Sequence, residues 1–246
     1  MAIATFRFYE ELNDFLPVEK RKTAFSYPFK GKPALKDAIE ALGVPHTEVD
    51  VILQNGVSVG FNTHLRDGDR VAVYPTFESL EVKGITAVRN RSLREPRFIV
   101  DVHLGKLARL LRLLGFDTLY RNDYSDGEII RIAEMERRII LTRDRGLLKV
   151  KTVTHGYCIH TTIPMQQIRD VLRRFDLTER AQPFSRCISC NGILHEITKA
   201  KVLNRLPERV SHQYQQFWQC ETCDKIYWQG THVQRMNAIL QNLLLT

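Results

Sequence analysis

Four cysteines in two C-x-x-C pairs, Cys187/Cys190 and Cys220/Cys223, carry the clearest chemistry in this chain of 246 residues. The pairs are 29 residues apart. Each pair can fold into a knuckle presenting two thiolates, so together they supply the four sulfurs of a tetrahedral zinc site. The intervening loop is longer than in the shortest ribbons, but loop closure costs only about 0.6 kcal/mol more per doubling of length. Four thiolates fill the zinc shell and leave no place for a substrate, so this metal is expected to be structural. The start Met1-Ala2-Ile3-Ala4-Thr5-Phe6-Arg7 lacks a basic-then-apolar export pattern. That argues against disulfides and for a reducing, cytoplasmic setting. The fifth cysteine, Cys158, lies in apolar Gly156-Tyr157-Cys158-Ile159 and reads as a small buried hydrophobe rather than a nucleophile.

A second constellation is rich in oxygen. Asp101 ends the apolar run Arg97-Phe98-Ile99-Val100, and Asp144 follows Ile139-Ile140-Leu141-Thr142-Arg143. Asp126 opens a helical stretch that follows the next extended run, Phe116 to Tyr120. If the strands are parallel, Asp101 and Asp144 share the carboxyl edge, where open α/β sheets bind ligands, and Asp126 can face it too. Three carboxylates in basic surroundings suit Mg²⁺ or Mn²⁺, which prefer oxygen ligands and bridge to phosphate. Such a cation lowers the pKa of a bound water and offsets charge on a phosphodiester. The expected chemistry is hydrolysis of a nucleic-acid backbone. Lys106, Arg109, Arg112, Arg143 and Arg145 are expected to hold phosphates, with an affinity that falls with salt. Each acid also has an ordinary reading. Ser125-Asp126-Gly127-Glu128 fits a capping box, Asp126 suits a helix dipole, Asp101 can start a helix and Asp144 can start a turn. His103 stands in reserve as a phosphate contact.

The elements that must position these groups follow from periodicity. Alternation in Phe6-Arg7-Phe8-Tyr9 and Ala24-Phe25-Ser26-Tyr27 predicts strands, and Leu35, Ala38, Ile39 and Leu42 recur at helical spacing before Gly43. Val49 to Leu53, a tight turn at Asn55-Gly56, a turn at Asp67-Gly68-Asp69 and Val71 to Tyr74 complete a small α+β roll. From Arg97 onward strands alternate with helices: Leu104 to Leu114, Ser125 to Arg138 and Pro164 to Phe175 as helices, with strands at 116–120, 139–142 and 156–161. This predicts an α/β parallel sheet with covered faces. Tyr214, Phe217, Trp218, Tyr227 and Trp228 crowd the second cysteine pair, where a small zinc module needs bulk for a core. Met236, Ile239, Leu240 and Leu243 have helical spacing.

The net charge of +8 is unevenly spread. Residues 1–96 carry 13 Lys/Arg against 13 Asp/Glu, residues 97–180 carry 16 against 11, and residues 181–246 carry 7 against 4. The excess lies where a polyanion such as RNA would be met. No apolar run reaches the length of a membrane span.

Several motifs together carry a resemblance. Leu53-Gln54-Asn55-Gly56 and Asp67-Gly68-Asp69-Arg70-Val71-Ala72-Val73-Tyr74-Pro75 resemble the β-grasp sulfur carriers, which are ubiquitin-like. Those carriers end in a free Gly-Gly tail, whereas here Pro75 runs on into Thr76-Phe77-Glu78, so a docking or scaffold role with a protein partner replaces a covalent one. Asp101 through Arg112, Leu114-Gly115-Phe116-Asp117 and Leu141-Thr142-Arg143-Asp144-Arg145 resemble the ribonuclease-like domain at the C-terminus of Mut-seven, a family similar to PIN nucleases. The likeness continues in Phe184-Ser185-Arg186-Cys187 and Tyr227-Trp228-Gln229-Gly230.

The resemblance implies a β-grasp domain at 1–80, a linker at 81–96, a PIN-like ribonuclease domain at 97–180, and a zinc ribbon with a C-terminal helix at 181–246. It implies Mg²⁺- or Mn²⁺-dependent RNA hydrolysis, endonucleolytic by analogy, with Asp101, Asp126 and Asp144 as catalytic metal ligands and Thr142 supporting Asp144. PIN nucleases often carry a fourth acid at the end of the next strand, and Ile159-His160-Thr161-Thr162 has none. The alternatives are a non-catalytic RNA-binding or ribosome-associated module, and an adaptor working through the β-grasp surface.

Overall fold

In chain order the strands are β1 (Ala2–Phe8), β2 (Phe25–Phe29), β3 (Val49–Gln54), β4 (Val57–Val59), β5 (Arg70–Pro75), β6 (Phe98–Val100), β7 (Thr118–Leu119), β8 (Ile139–Thr142), β9 (Gly156–Cys158), β10 (Leu194–Ile197), β11 (Phe217–Cys220) and β12 (Ile226–Trp228). The principal helices are α1 (Leu35–Ala41), α2 (Gly105–Leu113), α3 (Asp126–Glu136), α4 (Arg145–Lys149) and α5 (Pro164–Arg174). This computed structural model describes residues 1–75, 96–228 and 230. Nearly all of the expected linker and the whole C-terminal helix lie outside the described residues. Two compact units result: Met1–Pro96 with Ser125–Ile159, and Arg97–Tyr124 with His160–Thr246.

In the first unit, β1 alternates buried Ala4, Phe6 and Phe8 with less buried neighbours, the period-2 pattern of a half-buried strand. It lies parallel to β5 inside the order β2-β1-β5-β3-β4, and the other pairings of that sheet are antiparallel. Leu35, Ala38 and Ile39 of α1 are buried, and Gly43, at φ +103°, carries the chain out of the helix in a conformation that favours glycine. Asn55 and Gly56, at φ +55° and +86°, close the β3–β4 hairpin in the left-handed pair such a turn requires. This is the expected β-grasp.

The same unit contains α3, β8, α4 and β9. Ser125 caps α3, and its amide donates to Glu128 Oε2 at 2.9 Å while Glu128 N–H donates to Ser125 Oγ at 3.3 Å, so the capping box is real and occupies Glu128. β8 and β9 are parallel, with Thr142 opposite Cys158, and α4 makes the crossover. The β-grasp part reaches this edge through several contacts. His46 Nε2 lies 2.7 Å from the Val153 carbonyl, Lys149 Nζ donates to the Glu40 carbonyl at 3.0 Å, and the Cys158 amide donates to Glu48 Oε1 at 2.5 Å.

In the second unit β6 and β7 are parallel, joined through α2, which buries Leu107, Ala108 and Leu111. α5 packs on α2 with Ile168, Val171 and Leu172 buried. Phe98 meets Phe116 and Phe175 edge-on at 6.4 and 5.6 Å. The three-stranded antiparallel sheet β10-β11-β12 holds the cysteines. The fold class is thus the one expected: a β-grasp, parallel α/β strand pairs and a four-cysteine ribbon.

The strand expected at 156–161 ends at Cys158. Thr161 turns the chain instead, its Oγ1 accepting from Ile163 N–H at 3.2 Å, and Pro164 then starts α5 with its φ already suited to a helix. The helix expected from Leu104 begins as a single 3-10 turn, Val102–Leu104, and becomes α2 only at Gly105. The short helix α4 was not anticipated.

Candidate functional site

Cys187, Cys190, Cys220 and Cys223 place their four sulfurs within 4.8 Å of one another. Cys187 Sγ lies 3.6 Å from Cys223 Sγ, and Cys190 Sγ lies 3.4 Å from Cys220 Sγ. A tetrahedron with zinc–sulfur bonds of 2.3 Å has edges of about 3.8 Å, so the donor set and its spacing fit zinc. Burial opposes ionisation of Cys187, but the Tyr227 hydroxyl at 3.0 Å and the amides of Cys190 and Ser189 outweigh it and bring the thiol down to about 6. Burial pushes Cys190 up to about 12 and Cys223 upward as well. Several thiolates cannot share so small a volume without a cation. Leu194, Trp218 and Tyr227 pack around the sulfurs, and Phe184 stacks on Trp218 at 5.5 Å, so these aromatics serve as core.

The first knuckle is tied to α2 and β7. Arg112, expected on the phosphate-binding face, is 4% exposed. Its Nε donates to the Thr118 carbonyl at 2.8 Å, and its Nη1 donates to the carbonyls of Ser189 at 2.9 Å and Ile188 at 3.2 Å. The expectation for Arg112 is corrected accordingly: a buried guanidinium spent on backbone carbonyls is not presented to phosphate. Helical spacing placed it with Lys106 and Arg109, but i+3 and i+6 drift around the helix, far enough here to turn the third member inward. Asn191 completes the tie, accepting from Thr118 N–H and donating to Asp117 Oδ1, each at 2.9 Å. Arg112→Met keeps the apolar stem and strands the carbonyls. An expected loss of about 2 to 4 kcal/mol should appear as a lowered melting temperature.

Asp101 follows β6, is 7% exposed and accepts from His103 N–H at 3.3 Å. Asp144 follows β8 and is exposed. Its Oδ1 accepts from Gly146 N–H at 2.7 Å, which caps α4, and its own amide donates to Thr142 Oγ1 at 2.9 Å. Thr142 is fully buried, so its hydroxyl fixes the backbone on which Asp144 stands. Asp126 is exposed at the first turn of α3. Asp101 and Asp144 each close a strand of a parallel pair at its carboxyl end, as the spacing predicted. Among the described residues, the cysteines are the group of three or more possible ligands lying within 4.8 Å, and the aspartates do not form such a group.

A cleft of about 500 Å³ opens in the second unit, lined by His103, Lys106, Arg109, Tyr120, Thr162 and Gln167 among others. Lys106 and Arg109 are exposed on its wall. Tyr120 was not anticipated. A methyl at Gly105 would come 2.6 Å from the Tyr120 hydroxyl, so the glycine that opens α2 is the one sequence signal of this close approach. Arg143 is exposed. Arg145 lies against the β-grasp, with its guanidinium 4.9 Å from the Phe15 ring centre and donating to the Asp14 carbonyl at 3.5 Å.

Residues 96–240 match the Mut7-C RNAse domain. The chain belongs to that family. Residues 1–81 match the Mut7-C ubiquitin domain that accompanies it. Among curated proteins, the human "Exonuclease mut-7 homolog" is 32% identical over 123 residues, covering 48% of this chain and 14% of that protein. The chain therefore spans a small part of that relative's length. Among solved structures, two of small archaeal modifier protein 1 from Haloferax volcanii are 17% and 16% identical, cover 31% and 32% of this chain and all of theirs, and have a TM-score of 0.26. The Mut7-C RNAse match places residues 96–240 in a ribonuclease-domain family. No helix among the described residues is long and apolar enough to cross a membrane.

Proposed function

We propose that the protein is a divalent-metal-dependent ribonuclease that cuts RNA internally. The observation that carries this reading is the pairing of the RNAse-domain match at residues 96–240 with two acids, Asp101 and Asp144, at the carboxyl ends of parallel strands. Asp101, Asp126 and Asp144 would hold Mg²⁺ or Mn²⁺. The donor chemistry fits, because hard carboxylate oxygens are the ligands such cations take. When bound, the cation supplies an acidified water and charge neutralisation at the phosphodiester. The chain's own residues do the rest. Thr142 holds the Asp144 backbone, while Lys106, Arg109 and Arg143 place the phosphates by charge. Arg145, seated on Phe15, would contribute from the β-grasp side.

The reading places the β-grasp domain as a docking or scaffold element for a protein partner, and it takes the domain limits as 1–80, 97–180 and 181–246 with a linker at 81–96. The human relative's name supports nuclease chemistry but includes the word exonuclease, so the internal mode needs its own test. RNA labelled separately at each end is incubated with the full chain in Mn²⁺ or in EDTA, and product ends are mapped. Internal fragments from both labels, formed only with metal, are expected. A ladder shrinking from one end makes the enzyme an exonuclease, and retention without cutting leaves an RNA-binding module.

A further inference from the structure

The cleft of the second unit holds cationic groups that the fold leaves unused. His103, Lys106 and Arg109 are exposed along it, and among the described residues none of their side chains makes a hydrogen bond or an ion pair. By contrast, Arg112, Arg121 and Arg186 of the same unit are engaged by backbone carbonyls, Asp123 and Asp117. The described residues that line the cleft include no aspartate or glutamate. The remaining lining is set before any ligand arrives. The Tyr120 hydroxyl donates to the Val102 carbonyl at 3.1 Å, and the ring lies over Gly105, where a methyl would come 2.8 Å from Cζ. Gln167 is 4% exposed, and its Nε2 donates to the Thr161 carbonyl at 2.9 Å. Its Oε1 has no hydrogen-bond partner among the described residues.

Unpaired cations in a concavity without acids select an anion, and their number selects which one. A phosphodiester inside a strand carries a single negative charge, whereas a phosphate monoester carries about −1.5 to −2 and presents three strong acceptor oxygens. An ammonium, a guanidinium and an imidazole match that charge and that number of acceptors. The volume of about 500 Å³ is that of a pocket for a small molecule rather than of an extended groove. Tyr120 offers a pinned ring to a base, and the Gln167 Oε1 can accept from an amino group or a ribose hydroxyl. We infer that this cleft is a nucleotide pocket that grips a phosphate monoester, with His103, Lys106 and Arg109 on the phosphate and Tyr120 and Gln167 on the nucleoside. The phosphate chemistry stands by itself. Only the choice of an RNA strand end over a free nucleotide as the carrier rests on the ribonuclease reading. The pocket lies wholly within the second unit and requires no divalent cation. Its consequence is a substrate preference, for strands that already bear a terminal phosphate.

One short RNA strand is prepared in three forms, with a 5′-phosphate, with a 3′-phosphate, or with hydroxyls at both ends. Each carries an internal fluorophore, and binding to the full zinc-loaded chain is followed by anisotropy with no Mg²⁺ or Mn²⁺ added. At least one phosphorylated form is expected to bind roughly tenfold more tightly than the hydroxyl form. Lys106→Gln and Arg109→Gln, both at exposed positions, should each bring that ratio to within about threefold, and Lys106→Arg, which keeps the charge, should hold it. Equal affinity for all three forms, or a preference that both glutamine variants leave intact, overturns the inference. Adenosine 5′-monophosphate and adenosine 3′-monophosphate, titrated separately, distinguish the carriers. An affinity equal to that of the phosphorylated strand assigns the pocket to free nucleotides, and a much weaker one assigns it to strand ends. Cleavage of the hydroxyl form in Mn²⁺ is read in parallel. Cutting without end preference keeps the ribonuclease reading and removes the pocket, and end preference without cutting does the reverse.

Discussion

Asp144→Asn is expected to lower metal-dependent RNA cleavage by at least ~100-fold, about 2.7 kcal/mol of transition-state stabilisation. RNA retention in EDTA should stay within about twofold, since one neutralised acid changes few phosphate contacts. The substitution isolates the charge. Asparagine caps helices as well as aspartate, so its side-chain oxygen can still accept from Gly146 N–H, the contact now made at 2.7 Å, and α4 should persist. Thr142 still receives the backbone amide of residue 144, so the loop keeps its anchor. A melting temperature near the parent's combined with lost cleavage assigns Asp144 to the reaction. Cleavage within threefold of the parent removes it from the cation site, whatever the fate of Asp101 and Asp126.

How much of this could be read from residues alone differs between the parts. The β-grasp was legible because its signals are local: alternation in β1, helical spacing in α1 and the Asn55-Gly56 turn each specify their own geometry. The cysteine ribbon was legible because metal ligation imposes spacing directly. Asp101 and Asp144 were legible as strand-end acids because β6 and β8 are short apolar runs with a sharp polar stop. Three features were not. Arg112 looks like its neighbours Lys106 and Arg109 in any composition count, and only the position of the first zinc knuckle decides that its guanidinium points inward. Tyr120 lines the cleft because Gly105 leaves room for it, a pairing across 15 residues that periodicity does not register. Glu48 stands 110 residues from Cys158, and in sequence it is one acid in a balanced N-terminal segment. Long-range pairings of this sort are set by tertiary packing, where local propensity carries no information.

Removal of the zinc ligands is expected to have the largest structural effect. Apparent binding free energies for structural zinc run to ~10 kcal/mol and above, and in a module this small that is folding free energy. Cys220→Ser removes a buried sulfur from the ribbon core and leaves three thiols that burial keeps from ionising together. The consequences should not stop at the ribbon. The carbonyls of Ile188 and Ser189 hold Arg112, and Asn191 holds β7, so a loosened knuckle exposes a buried guanidinium and frees the C-terminal half of α2, the helix whose first turns carry Lys106 and Arg109. Expected results are zinc content falling from one per chain to near zero and lost near-ultraviolet circular dichroism. The melting temperature should fall by about 10 °C or more, at roughly 2 to 4 °C per kcal/mol for a chain of this size. RNA affinity should fall with it, because phosphate contacts on a mobile helix pay an ordering cost at every binding event. A Cys220→Ser protein that melts like the parent and binds RNA with the same salt dependence would uncouple the ribbon from the nuclease domain and limit zinc to holding its own knuckles.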